Sequence, residues 1–190
     1  MNYAVSLAQQ GLRTLLIDAD LRLPTVGKML FDGQAHAGVG DVVSGRVDLR
    51  AAVQASDDIP NLHVMTAGHR VPNPSELLSG SGFGDLVRAA THQFDRIVID
   101  SAPVNAVSDS LLLVKWAQIV CLVVHAGKTP RKAVMRACKK LSEAGSRPVG
   151  FILNRMPEHS GAGYYYHYHS AGDYGNVYGT AGKSEKTAQA

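Results

Sequence analysis

The run Leu15-Leu16-Ile17-Asp18-Ala19-Asp20-Leu21-Arg22 joins three aliphatic residues to an Asp-x-Asp-x-Arg sequence. A continuous apolar run is the pattern of a strand buried on both faces of a parallel sheet. Two carboxylates and a guanidinium then fall at its tip. Open α/β sheets bind nucleotides at the carboxyl ends of their strands. In such folds a glycine-rich phosphate loop, G-x-x-x-x-G-K-[ST], normally precedes this strand. These 190 residues contain no such loop, and they open inside a helical pattern.

Outward from that strand, helical and extended patterns alternate. Upstream, Ala4, Val5, Leu7 and Ala8 form a helical stripe closed by Gly11, which suits a C′ position. Downstream, Pro24 ends the segment, Val26, Met29 and Leu30 suggest a short helix, and residues 32–40 read as a loop. Short helices are expected around 41–44 and 49–54, then a strand over 62–66. Pro72 and Pro74 break the chain, Ser75-Glu76-Leu77-Leu78 restarts a helix, and Phe83, Leu86, Val87 and Ala90 mark an amphipathic one. Ile97-Val98-Ile99-Asp100 is a second buried strand ending in a carboxylate. A helix over 108–115, a strand over 119–124 and a strand over 149–153 complete the series. Between the last two strands, Thr129-Pro130 offers an N-cap and N1 pair for a helix running to about Ala144. Such alternation implies a parallel sheet with helices on both faces.

The character changes after Met156, which sets the expected division into a nucleotide-binding domain over 1–156 and a Gly/Tyr/His-rich flexible tail over 157–190. Six of the seven tyrosines lie in the tail: Tyr164, Tyr165, Tyr166, Tyr168, Tyr174 and Tyr178. Few aliphatic residues accompany them, so the segment lacks the apolar surface that folding requires.

Apolar residues at 45% and charged residues at 18% fit a soluble globular chain large enough for a full core. A formal charge of +3 gives no argument for nucleic acid. Cys121 and Cys138 have neither metal-ligand nor disulfide spacing and read as buried thiols in a reducing compartment. The longest purely aliphatic run, Leu111–Val114, is far too short to span a bilayer, and the first residues lack a signal-peptide pattern. A cytoplasmic location is expected.

In a parallel sheet the strand ends point one way, so Asp18, Asp20 and Asp100 converge on one crevice. Mg²⁺ on nucleotide phosphates needs one or two carboxylates plus water, which this set supplies. The competing reading is that these aspartates open loops and cap helices. Two apolar strands ending in Asp, one continuing Ala-Asp-Leu-Arg and the other Ser-Ala-Pro, favour the nucleotide site.

Further runs follow in order: Gly11-x-Arg13-Thr14 into the opening strand and on to Pro24, Gly38-Val39-Gly40-Asp41-Val42-Val43-Ser44-Gly45, and Pro72-Asn73-Pro74-Ser75-Glu76-Leu77-Leu78. Phe94-Asp95-x-Ile97-Val98-Ile99-Asp100-Ser101-Ala102-Pro103, Val107-Ser108-Asp109 and Gly150-Phe151-Ile152-Leu153-Asn154-Arg155 precede the tyrosines. Together they resemble the bacterial tyrosine kinases of the capsular exopolysaccharide family, over nearly the whole chain. Partition and septum-site ATPases of the same superfamily share single motifs; the Pro72–Leu78 run and the tyrosine cluster narrow the resemblance to the kinases.

That resemblance implies an α/β fold of P-loop NTPase type, like the partition ATPases, with the first strand and phosphate loop absent from these residues. It implies ATP and Mg²⁺ as cofactors and transfer of the γ-phosphoryl group to tail tyrosines, in control of exopolysaccharide or capsule synthesis and export. Asp18 would accept the tyrosine hydroxyl proton, while Asp20 and Asp100 would hold Mg²⁺. Arg22 would steady phosphate or nearby carboxylates, with a structural ion pair as the alternative. Asn154 would contact adenine, or merely end its strand. Positioning and charge neutralisation would supply most of the catalysis. The implied partners are a membrane-anchored polysaccharide co-polymerase that activates the kinase, neighbouring copies exchanging tails, and a cognate tyrosine phosphatase. They place the protein at the inner face of the cell membrane.

The tail has a blander reading as a low-complexity end, and His167 and His169 beside Tyr168 have one as ordinary polar residues rather than metal ligands. Lys128, Arg131, Lys132, Arg136, Lys139 and Lys140 make one helix strongly basic, most simply a solvated face and alternatively a contact with anionic lipid.

In the family the phosphate loop and the strand feeding it come before the helix with which these residues open. The expectation is a fragment, or a misplaced start codon, whose sheet lacks an interior strand. Each buried backbone group so orphaned costs about 1–3 kcal/mol, against a typical total stability of roughly 5–15 kcal/mol. Two other functions therefore stand beside the autokinase: an inactive phosphoacceptor or interaction module, and a partition-type regulatory ATPase.

Overall fold

The computed structural model describes residues 1–31 and 36–156. In chain order the elements are α1 (Asn2–Gln9), β1 (Thr14–Asp18), α2 (Val26–Leu30), α3 (Val39–Val43), α4 (Leu49–Ala52), β2 (Gln54–Ala55), β3 (Leu62–Met65), α5 (Pro74–Ser79) and α6 (Ser81–Thr91). They continue with β4 (Arg96–Asp100), α7 (Asp109–Leu113), a 3-10 turn at Val114–Trp116, β5 (Cys121–His125), α8 (Arg131–Glu143) and β6 (Gly150–Asn154). Residues Met1–Asn154 form one compact unit. The tail tyrosines, His167 and His169 lie outside the described residues.

β1 is the centre of the molecule. It pairs in parallel with β3 on one side, Thr14 opposite Leu62, and with β4 on the other, Asp18 opposite Asp100. All five of its residues are buried. Strand side chains alternate between faces, so Leu15 and Ile17 enter one core with Val39, Met65, Leu78 and Phe83. Leu16 enters the other with Ala4, Ala8, Val26 and Val64. Helices thus cover both faces of this sheet. Gly11 does close α1, at φ +85°.

The structure departs from the sequence expectations in four places. The sheet is not wholly parallel: β2, expected as the end of a helix over 49–54, pairs antiparallel with β3. Val53 already has extended backbone, and Asn61 at φ +65° turns the chain into β3. Thr129 does not cap α8; Pro130 holds that position, and the Thr129 hydroxyl instead accepts from the His125 amide at 3.1 Å. Cys121 is exposed and Cys138 only half-buried. Finally, β4 is half-buried rather than buried.

The last two departures share a cause. Among the described residues β4 pairs only with β1, and β5 pairs only with β6. The strands therefore form two sheets, β2-β3-β1-β4 and β5-β6. A cavity of about 450 Å³ separates them, lined by Ile99 and Asp100 of β4, Cys121 and Val123 of β5, and Ala137 and Leu141 of α8. Cys121 stands on this open edge.

Candidate functional site

The parallel register of β1 and β4 sets Asp18 and Asp100 directly opposite each other at their strand ends. The chain holds this tip together by backbone contact, the Ala19 amide donating to the Asp100 carbonyl at 2.8 Å. Asp18 is fully buried. Its Oδ2 accepts from the amides of Thr25 (3.1 Å) and Val26 (3.0 Å) at the start of α2, and its Oδ1 from Asp20 (3.1 Å). A carboxylate offers about four acceptor directions, and these amides take three of them. Asp18 thus fulfils the bland reading of a helix-capping aspartate.

Burial pushes the Asp18 carboxyl above the usual carboxylate range, and the Asp100 charge adds to the rise against the three amides. Burial likewise raises Asp100; the Met1 amino group opposes this, and the Asp20 charge adds to it. The Asp100 charge raises the proton affinity of Asp18, and the Asp20 charge that of Asp100, and carboxylates so gathered are a donor set suited to a cation. Asp20 is half-buried, and its Oδ1 accepts from the amides of Arg22 (3.2 Å) and Leu23 (3.0 Å). Among the described residues no cluster of three His, Cys, Asp or Glu side chains could by itself enclose a metal. The set fits Mg²⁺ carried by phosphates and water better than a caged ion.

The Arg22 guanidinium forms its ion pair with Asp109, not with any of these three carboxylates. Its Nε and Nη2 grip Asp109 at 2.6 and 3.1 Å, and Nη2 also donates to the Ser75 hydroxyl at 2.9 Å. Ser75 in turn donates to Asp109 at 2.8 Å. Hydrogen bonding from Arg22 holds the Asp109 carboxyl below its usual range against the effect of burial. A forked guanidinium–carboxylate pair is directional, so this cluster ties the β1 tip to the start of α5 and of α7. Ser110 extends the tie by donating to the Ala102 carbonyl beyond β4. Asp109 and Ser75 are the residues that reading the sequence missed as partners, although both lie in runs that stood out.

A second cluster explains the Gly38–Asp41 run. The amides of Val39 and Gly40 donate to the carbonyls of Thr66 and Ala67, each at 2.9 Å, so α3 begins against the loop after β3. A Cβ on Gly38 would collide with that backbone, and Gly68 adopts φ +82° beside it. Buried Asp41 joins the segments: it accepts from the Gly38 amide (3.0 Å), the His69 amide (3.1 Å) and Arg46 Nε (3.1 Å), and its Oδ1 lies 3.0 Å from His69 Nδ1. Burial alone would raise its carboxyl, but the His69 and Gly38 donors hold it low.

Asn154 ends β6 in register with His125, and its carbonyl accepts from the Ala126 amide at 2.9 Å. It therefore belongs to the smaller sheet, beyond the cavity that Asp100 lines. The structure brings Asp18, Asp20 and Asp100 together, commits Arg22 to Asp109 and Ser75, and sets Asn154 on a separate strand pair. Among the described residues no helix is long and apolar enough to cross a membrane.

No family model matches the chain. It is 35% identical over 167 residues to the putative tyrosine-protein kinase CapB of Staphylococcus aureus, covering 88% of this chain and 72% of that protein. To the tyrosine-protein kinase YwqD of Bacillus subtilis it is 38% identical over 166 residues, covering 86% and 69%. Its fold matches the crystal structure of the VpsO kinase domain with a TM-score of 0.76 and 39% identity, over 82% of this chain and 75% of that one. The septum site-determining protein MinD of Pyrococcus horikoshii, solved with Mg-ADP, matches with a TM-score of 0.65 over 82% of this chain and 63% of its own. At 21% identity, that likeness shows the P-loop NTPase fold alone.

Proposed function

The chain belongs to the bacterial tyrosine kinases of capsule and exopolysaccharide biosynthesis, and on that premise we propose that its β1–β4 tip is the phosphoryl-transfer site of a tyrosine autokinase. The observation that carries this reading is the pairing of Asp18 with Asp100 in register, Asp20 beside them, with two of the three carboxyls pushed up in proton affinity. Asp20 and Asp100 would hold Mg²⁺, which neutralises phosphate charge when bound. Asp18, whose raised proton affinity makes it a better base than an ordinary carboxylate, would take the tyrosine hydroxyl proton. Asn154 would contact the adenine ring. Arg22 acts by holding α5 and α7 against this tip rather than by touching phosphate. The acceptors would be Tyr164, Tyr165, Tyr166, Tyr168, Tyr174 and Tyr178, reached between copies of the chain. A membrane-anchored co-polymerase as activator and a tyrosine phosphatase as antagonist complete the setting, at the inner face of the membrane.

One observation favours a second reading. Among the described residues the sheet is interrupted beside Asp100, where β4 pairs only with β1. The chain would then serve as phosphoacceptor for an active relative. Titration with Mg-ATP, followed by phosphotyrosine detection, separates the two. The autokinase reading expects binding in the micromolar range and tail phosphorylation that Asp18→Asn abolishes. An undiminished phosphotyrosine signal in Asp18→Asn would remove Asp18 from its role. Absence of Mg-ATP binding, with phosphorylation only when an active relative is added, would establish the acceptor reading.

A further inference from the structure

Helix α8 carries a surface that the nucleotide site does not use. Its inner face buries Ala137 and Leu141 and half-buries Ala133, Val134 and Cys138. Helical periodicity sets the opposite face at 131, 132, 135, 136 and 139. Arg131, Lys132, Arg136 and Lys139 are all exposed there, and exposed Lys128 extends the row into the preceding turn. Lys140 stands apart: its ammonium donates to the carbonyls of Val104 (3.2 Å) and Asn105 (3.5 Å), and Asn105 Nδ2 donates to the Ala133 carbonyl at 2.8 Å. These bonds fix the helix to the loop after β4, so its outer face has a set orientation. The helix has one acid, Glu143, 3.8 Å from Lys139 at the far end.

The five cations of the row outnumber the chain's whole formal excess of +3, so the remaining residues are net negative. Positive charge is therefore concentrated here rather than spread over the molecule. In the middle of the row stands Met135, 60% exposed.

We infer that this face of α8 docks on an anionic lipid surface. The row extends along a helix about 20 Å long, so its charges can meet a plane together. Lysine and arginine stems lie along an interface while their heads reach phosphate, and Met135 is placed to enter the boundary between headgroups and acyl chains. Each basic residue held near such a surface adds roughly 1 kcal/mol, or about fivefold in partitioning. A nucleic acid fits less well, because residues 128–139 include no aromatic ring on which a base could stack. The inference does not depend on the nucleotide reading.

The test is sedimentation of the 190-residue chain with vesicles of phosphatidylcholine alone and of phosphatidylcholine mixed with phosphatidylglycerol. Binding to the mixed vesicles only, weakened by added salt, is expected. Lys132→Glu/Arg136→Glu should reduce partitioning at least tenfold, and Lys132→Gln/Arg136→Gln should fall between it and the original chain. Lys28→Glu/Arg50→Glu, with the same net charge but altered on α2 and α4, should bind as the original chain does. Circular dichroism verifies the fold of each variant. The inference is overturned by failure to bind mixed vesicles, by an equal loss in both glutamate variants, or by binding that survives Lys132→Glu/Arg136→Glu. Retention on an immobilised polyanion without vesicle binding would assign the face to a different acidic partner, and the lipid assignment would likewise fall.

Discussion

β1 and β6 are both five-residue, largely apolar strands in parallel pairings, yet one is wholly buried and the other largely exposed. Leu16 in β1 is 0% exposed, while Leu153 in β6 is 59% exposed. The difference lies in their neighbours. β1 has β3 and β4 on its two edges and helices on both faces, whereas among the described residues β6 pairs with β5 alone. An apolar strand is thus buried by what surrounds it: Asp18 ends the fully covered strand, whereas Asp100 lines the cavity beside half-buried β4.

Hydrogen exchange tests this contrast most severely. Amides of β1 should exchange only through global opening and those of β6 through local opening, a difference of about 10³-fold or more. Uniform protection across both sheets would break the comparison. Truncation gives the next largest effect. Leu16→Ala should cost about 2–5 kcal/mol and Leu153→Ala no more than about 0.5 kcal/mol, read from urea unfolding midpoints. Equal costs would mean that β6 is covered in solution.

The clamp beneath the site should be worth less than the core. Asp109→Ala removes the shared acceptor of Arg22 and Ser75 and should cost about 1–3 kcal/mol. Its contribution is present at neutral pH and disappears as pH falls through the depressed folded value, because the native carboxylate binds protons less readily than the unfolded one. A pH-independent loss would show that packing, not the ion pair, matters there.

Asp100 carries the opposite sign and the smallest effect. Its folded pKa is raised, so the native state holds its proton more tightly and stability declines as pH rises from the unfolded value through the folded one. Asp100→Asn should therefore raise the Tm at neutral pH and leave it unchanged in acid, where both side chains are neutral. It should also weaken Mg-ATP binding. A lower Tm at neutral pH would show that the carboxylate is there for the fold rather than for a ligand. Stability given up at a site for the sake of its chemistry is common.

Much of the fold was legible because it rests on local rules. Aliphatic runs ending in Asp identified β1 and β4, and Gly11 marked the end of α1. The kinase family was legible from motifs in sequence order, and relatives at 35% and 38% identity agree with it. Two-residue β2 escaped because so short a strand has no periodicity of its own and exists through pairing with β3. The exposure of Cys121 escaped because an apolar run reports the tendency to be buried, not the presence of a partner strand.

The sequence by itself determined which residues are chemically able to act: the carboxylates at 18, 20 and 100, the guanidinium at 22 and the tyrosine cluster. Local propensity and residue type are properties of the chain alone. Tertiary structure decided what each described residue does with that ability. Parallel register set Asp18 against Asp100, and packing of α5 and α7 drew Arg22 to Asp109. The interruption between β4 and β5 left one strand pair half clothed. Those outcomes depend on groups far apart in sequence, whose meeting only the folded chain can arrange.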